Sequence, residues 1–166
     1  DHTERMLQGF GYSIARARNK ISLRGGGKLV GRRIEVPADL SSAAFFLVGA
    51  AITPNSDILL KHVGINPTRT GILKILELMG ADFKILNQRE VSGEPVGDIR
   101  IKYSKLRGIE IPSELVPLAI DEFPVIFIAA ACADGCTKLS GAAELRIKES
   151  DRINCMAIGL DILGVK

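Results

Sequence analysis

The chain has 166 residues, 46% of them hydrophobic and 25% charged, with a formal net charge of +3. A chain of that size and composition buries a sizeable core, which excludes intrinsic disorder, and no apolar run approaches the roughly 18 residues of a membrane-spanning helix. The balance of 22 Lys and Arg against 19 Asp and Glu is too even for a dedicated nucleic-acid binder, which carries a basic stripe; a few cations remain available for a small anionic substrate.

The first third of the chain opens on helical spacing. Met6, Leu7 and Phe10 mark the end of a helix, and the loose alternation from Tyr12 to Leu23 fits a pair of strands. Gly25-Gly26-Gly27 reads as a turn. A phosphate-cradling loop would need a helix with Lys-Ser or Lys-Thr directly after it, whereas Lys28-Leu29-Val30-Gly31-Arg32 leads into another strand. Arg16, Arg18, Lys20, Arg24, Lys28, Arg32 and Arg33 then line a solvated strand face. His2 and His62 have no partners in sequence and read as structural or solvated. Cys132, Cys136 and Cys155 read as buried thiols of a reducing compartment, with no histidine close in sequence to complete a metal site. The start at Asp1, without Met or a leader pattern, and the end at Leu163-Gly164-Val165-Lys166 suggest an internal piece of a longer protein.

Beyond residue 33 the chain says the same thing twice. Ile34-Glu35-Val36-Pro37 returns as Ile109-Glu110-Ile111-Pro112. Each is followed by an Ala-rich apolar run, Ala43 to Ile52 and Val125 to Ala133, then by a short strand, Ile58-Leu59-Leu60 and Thr137-Lys138-Leu139. An amphipathic helix closes each copy, at Leu78-Met79-Gly80-Ala81 and at Ile162-Leu163-Gly164-Val165. The first copy adds strands at Asp82 to Leu86 and Asp98 to Tyr103, joined through Gly93-Glu94-Pro95. The pattern is one β-α-β-α-β-β unit and most of another, a duplicated supersecondary unit. The Ala-rich runs have no polar face, which predicts helices buried on every side. The later stripes, Ile72, Ile75, Leu76, Met79 and Ile153, Ala157, Leu160, Leu163, predict half-exposed helices.

Helix starts carry the candidate chemistry. Asn66-Pro67 fits an N-cap and first helical position, and Ser150 is the N-cap at the matching place in the second copy. Lys148 and Arg152 flank that second start, where free N–H groups already favour an anion, and Glu149 stands beside them to move a proton. The same stretch also fits a capped helix with surface ion pairs. Asp121, just ahead of the second apolar helix, is either its N-cap or a carboxylate at the mouth of a buried helix, placed to act as a base.

Six motifs in order carry a resemblance that runs from one end of the chain to the other. They are Asp1-His2-Thr3-Glu4-Arg5-Met6-Leu7; Val36-Pro37-Ala38-Asp39-Leu40-Ser41-Ser42-Ala43-Ala44-Phe45-Phe46-Leu47; Asn66-Pro67-Thr68-Arg69-Thr70-Gly71; Gly93-Glu94-Pro95; Ile120-Asp121-Glu122-Phe123-Pro124; and Leu145-Arg146-Ile147-Lys148-Glu149-Ser150-Asp151-Arg152. This set resembles the 5-enolpyruvylshikimate-3-phosphate synthase family, which usually has Gly where this chain has Ala38. The resemblance implies an inside-out α/β barrel of repeated β-α-β-α-β-β units with buried helices, here partial. Residues 1–33 would close one domain, and residues 34–166 would form about two units of the next.

It further implies a cytoplasmic enzyme of the shikimate pathway that joins phosphoenolpyruvate to shikimate 3-phosphate and releases phosphate, with no metal or organic cofactor, and that is a monomer at full length. By motif match Asp121 is the base near the 5-hydroxyl and Lys148 holds the 3-phosphate. Glu149 is the acid–base group at the phosphoenolpyruvate methylene, and Arg152 binds that substrate's phosphate or carboxylate. The family's amino-terminal Lys-Ser loop, Asn-Ala-Gly-Thr segment and Ser-Ser-Gln motif are not in this chain, so the chain alone is expected to be inactive until the rest of its own polypeptide completes the cleft. The alternatives are a UDP-N-acetylglucosamine enolpyruvyl transferase, against which the Lys-Glu-Ser-Asp-Arg and Asp-His-Thr-Glu-Arg-Met-Leu motifs argue, and a non-catalytic anion-binding module.

Overall fold

In the computed structural model, which describes residues 1–165, the chain begins with helix α1 (His2–Gly9) and an antiparallel hairpin of β1 (Ile14–Ala17) and β2 (Lys20–Leu23). The glycine triplet is a turn: Gly26 takes φ +79°. The Tyr12 hydroxyl spans the turn, donating to the Arg24 carbonyl and accepting from the Gly27 amide at 3.1 Å. No strand follows. Residues 28–36 are irregular and exposed, and Val30 makes one backbone bond, to the Phe10 carbonyl.

α1 is fastened to the rest by polar groups rather than by apolar packing. The Asn66 amide, 2% exposed, donates to Asp1 Oδ1 at 2.7 Å and to Glu94 Oε2 at 2.9 Å. His2 Nδ1 lies 2.7 Å from Glu94 Oε1, and Arg5 reaches both Asp1 and the Gly93 carbonyl. Burial pushes the Glu94 carboxyl up, but the hydrogen bonds from His2 and Asn66 and the charges of His2 and Arg5 outweigh it, so its pKa is held below its ordinary value. Asn66 is therefore not a helix cap. Its Oδ1 closes a local turn by accepting from Thr68 N and Thr68 Oγ1, and helix α3 (Gly71–Leu78) starts later.

The first repeat unit is well formed. Helix α2 (Leu40–Ile52) starts at Asp39, whose side chain accepts from the Ser42 amide at 2.7 Å. Strands β3 (Asp57–Gly64), β4 (Asp82–Val91) and β5 (Glu94–Lys102) form an antiparallel sheet in the order β3-β5-β4. Ser92 and Gly93, both at positive φ, make the tight turn between β4 and β5. Both outer strands shift register opposite the middle of β5, between Leu60 and Val63 and between Leu86 and Arg89. Asp98 of β5 serves both irregularities, accepting from the His62 amide and from Asn87 Nδ2, each at 2.8 Å. His62 and Asn87 both adopt left-handed backbone there.

The second unit is looser. Its helix α4 (Phe123–Ala131) packs against α2, a 3₁₀ turn covers Ala143–Arg146, and α5 (Arg152–Ile162) follows. The expected strands at 34–37, 109–112 and 137–139 reduce to isolated parallel bridges, Ala38 with Val63 and Glu110 with Lys138. Among the described residues nothing pairs along their other edges, so no ladder propagates.

The apolar helices are only partly enclosed. α2 buries Leu40, Ala43, Ala44, Leu47, Val48, Ala50 and Ala51, but leaves Phe45 and Phe46 65% and 63% exposed. α4 has no exposed residue and completely buries Phe123, Ile126 and Ala129. In α3 the predicted stripe of Ile72, Ile75, Leu76 and Met79 is completely buried. α5 has no buried residue, and Ala157 and Leu163 of its stripe are exposed, although Ile153 touches the core. The three cysteines are exposed free thiols rather than buried ones. Cys132 ends α4, Cys136 sits in the turn after Gly135, and Cys155 lies on the outer face of α5. Among the described residues no helix is long and apolar enough to cross a membrane.

Two glycines are set by close approach. A Cβ on Gly71 would lie 2.5 Å from the Leu118 carbonyl carbon, and one on Gly108 would lie 2.5 Å from the Cys136 backbone. Backbone cannot yield as a side-chain tip can, so Gly71→Ala and Gly108→Ala are each expected to cost about 1–3 kcal/mol in urea unfolding. Gly49→Ala, which meets nothing within 4 Å, should not destabilise; equal losses at all three would contradict the packing described.

Candidate functional site

α4 and α5 bring the sequence candidates to one place. α4 starts with Glu122 as N-cap and Pro124 in its first turn. Asp121, one residue earlier, makes no capping bond, and its side chain is left pointing at α5. α5 is capped by Asp151 rather than Ser150: Asp151 Oδ1 accepts from the Asn154 amide at 2.9 Å, while Oδ2 accepts from Arg146 at 3.0 Å. Arg152 is the first residue of that helix, so its guanidinium emerges at the positive end of the helix dipole.

The guanidinium joins the two candidate carboxylates. Its Nε and one terminal nitrogen grip Glu149 Oε1 and Oε2 at 2.9 and 3.0 Å, and the other terminal nitrogen donates to Asp121 Oδ1 at 3.2 Å. The two-pronged grip is the geometry that suits Arg and a carboxylate. Lys148 pairs with Glu144 at 2.8 Å. Each group responds to its neighbours. The Glu149 carboxyl is lowered by a hydrogen bond from its own backbone amide and by the Arg152 fork. Arg152 is raised chiefly by the hydrogen bond to Glu149, and Lys148 by the one to Glu144. The arrangement presents two cations beside ionised carboxylates at a helix start. An incoming dianion can take a carboxylate's place on Arg152, and the freed carboxylate is then able to carry a proton.

Three groups next to this cluster escaped the sequence reading. Glu122 is 4% exposed. Its Oε1 accepts from Ser41 Oγ, in the first turn of α2, and Arg69 donates to the same hydroxyl at 2.6 Å. Burial pushes the Glu122 carboxyl up, against the Ser41 hydrogen bond and the Arg69 charge. All three residues lie within motifs quoted above, but only folding brings 41, 69 and 122 together. A hollow of about 970 Å³ lies elsewhere, between α1 and the β4–β5 turn. Arg69 and Asp39 border it, whereas Asp121, Lys148, Glu149 and Arg152 do not; the cluster instead opens directly to solvent.

Residues 1–166 match the family model described as EPSP synthase (3-phosphoshikimate 1-carboxyvinyltransferase). The chain is 66% identical over 165 residues to a 3-phosphoshikimate 1-carboxyvinyltransferase of Methylococcus capsulatus, covering 99% of this chain and 38% of that protein. To the protein of the same name in Halorhodospira halophila it is 64% identical, covering 99% of this chain and 37% of the relative. The solved structure of an EPSP synthase from Acinetobacter baumannii superposes with a TM-score of 0.95 at 64% identity, over 98% of this chain and 37% of that one. The chain thus spans less than two fifths of the length of these relatives, and its architecture is a part of their fold.

The two carboxyls should titrate in opposite directions. A lowered carboxyl contributes stability above its unfolded value and loses it as pH falls through the folded one, so the NMR midpoint of Glu149 is expected below 4.5; a midpoint at or above that value would contradict the fork. A raised carboxyl contributes stability below its unfolded value of about 4.5, which is lost as pH rises through the folded value. Glu122→Gln should therefore gain stability relative to the parent between pH 5 and pH 7, read from urea midpoints at the two pH values; a difference independent of pH would contradict the burial of an ionisable group there.

Proposed function

The chain belongs to the EPSP synthase family, and on that premise we propose that the whole protein transfers the enolpyruvyl group of phosphoenolpyruvate to the 5-hydroxyl of shikimate 3-phosphate, releasing phosphate. The observation that carries this reading is the single guanidinium of Arg152 bridging Asp121 and Glu149 across the mouths of α4 and α5. The names of the relatives support it. In this reading residues 1–33 close one domain and residues 34–166 make about two units of the next, with the reaction in the cleft between them.

Each cluster member has a role its surroundings suit. Lys148 holds the 3-phosphate, exchanging Glu144 for the substrate. Arg152 receives the phosphate or carboxylate of phosphoenolpyruvate. As that anion takes over the guanidinium, Glu149 loses one of the contacts that keep its carboxyl low and becomes able to hold a proton. Glu149 delivers that proton to the methylene carbon, which makes the neighbouring carbon electrophilic. Asp121 takes the proton of the 5-hydroxyl as its oxygen attacks that carbon. Elimination reverses the proton flow: the new methyl group gives a proton back, the carbon–oxygen bond to phosphate breaks, and the double bond re-forms. Carboxylates in unlike environments are what such two-way proton traffic needs, and fixed cations offset the charge of two anionic substrates. The chemistry calls for no metal or organic cofactor, and we place the enzyme in the cytoplasm as a monomer.

The test uses the full-length protein with shikimate 3-phosphate and phosphoenolpyruvate, following phosphate release. Turnover is expected, and Glu149→Gln or Arg152→Ala should each lower kcat/KM by about a hundredfold or more. UDP-N-acetylglucosamine in place of shikimate 3-phosphate should give none, nor should the 166-residue chain alone. Unaffected variants would remove these assignments, and turnover with the sugar nucleotide would replace the substrate.

A further inference from the structure

We propose that Ser41, Glu122 and Arg69 form a tether that positions Asp121 for its role in the reaction proposed above. Among the described residues, Asp121 has a single side-chain hydrogen bond, the one from Arg152. In the reading above Arg152 turns to the substrate, so that bond cannot be what holds Asp121 during the reaction. The neighbouring residue is held far more firmly. Glu122 is almost wholly buried, its amide donates to the Ala119 carbonyl at 3.0 Å, and its carbonyl accepts from Ile126 in the first turn of α4. Its side chain makes no capping bond to its own helix. It reaches instead to the Ser41 hydroxyl on α2, and Arg69, ahead of α3, closes the group by donating to that hydroxyl while standing 3.9 Å from the Glu122 carboxylate.

Three helix starts are thereby tied at one carboxylate, and Asp121 is the residue immediately next to it. An ordinary cap would stabilise α4 at less cost, because a buried carboxylate loses its hydration. A buried carboxyl bound across to two other helix starts fixes where the mouth of α4 lies, and the exposed neighbour inherits that placement. Misplacing a reacting group by about 1 Å costs on the order of a hundredfold in rate, so a positioning residue of this kind should act on kcat rather than on substrate affinity.

The experiment compares Asp121→Asn, Ser41→Ala, Glu122→Ala, Glu122→Gln and the Ser41→Ala/Glu122→Ala double variant in the full-length enzyme, each checked for folding by circular dichroism. With a tether, both alanine variants lose kcat about tenfold or more while both KM values stay within about twofold. The double variant is no worse than the worse single one, because the two act as a unit. Glu122→Gln, whose side-chain oxygen still accepts from Ser41, recovers most of the loss even if Glu122→Ala folds poorly. A parental kcat in Glu122→Ala, a glutamine variant as slow as a folded alanine one, a loss confined to KM, or losses that multiply in the double variant would each overturn the tether. Asp121→Asn separates the two levels of inference. If it abolishes turnover, an unaffected Glu122→Ala refutes the tether alone; if Asp121→Asn is fully active, or the parent enzyme is inactive, both readings fall.

Discussion

A guanidinium shared by two carboxylates that precede different helices is the contact on which the proposed chemistry depends. Arg152 and Glu149 are close in sequence and would meet in any helix start of this kind. Asp121 is 31 positions away and meets them only because α4 and α5 open towards the same side. The pairing is exposed at Asp121 and Glu149 and more sheltered at Arg152. Its worth to stability is therefore small, and in the proposed reaction its value is to hold groups ready to change partners.

Behind this exposed cluster lies the opposite arrangement. The Ser41–Glu122–Arg69 group is buried or half-buried and changes partners with difficulty, because a carboxylate stripped of water needs every hydrogen bond it has. The same division appears at the other end of the unit, where Asn66, Asp1 and Glu94 are held in a sheltered network that secures α1 against the β4–β5 turn. In both places the chain uses polar contacts to fix the relative position of segments that share little apolar surface. The apolar core fixes the rest: α2, α3 and α4 lie with one β-sheet in a single cluster.

The repeat was legible in outline, since the recurrence of Ile-Glu-Val-Pro as Ile-Glu-Ile-Pro and the two Ala-rich runs correspond to α2 and α4 in equivalent places. The strands of the repeat were not, because a strand is a property of two neighbours. Residues 34–37 have the composition of one, yet Val36 is 79% exposed and no ladder forms along it. Helix caps were misread by one to four residues for a related reason. Asn66, Ser150 and Asp121 are all good cap residues by type, but which one takes the task depends on the chain's path into the helix. Asp151 won over Ser150 because it can accept from Asn154 and from Arg146 at once.

By itself the sequence determined the helices, the order of the repeat and the family resemblance, and it nominated the four candidate residues, because periodicity, motif order and residue chemistry are local properties of the chain. Tertiary structure alone decided which faces of the apolar helices are covered, that the three cysteines lie outside, that Asp121 faces Arg152, and that Ser41, Arg69 and Glu122 converge. Those facts are about surfaces and distances between segments remote in sequence, and they exist only once the core has brought the segments together.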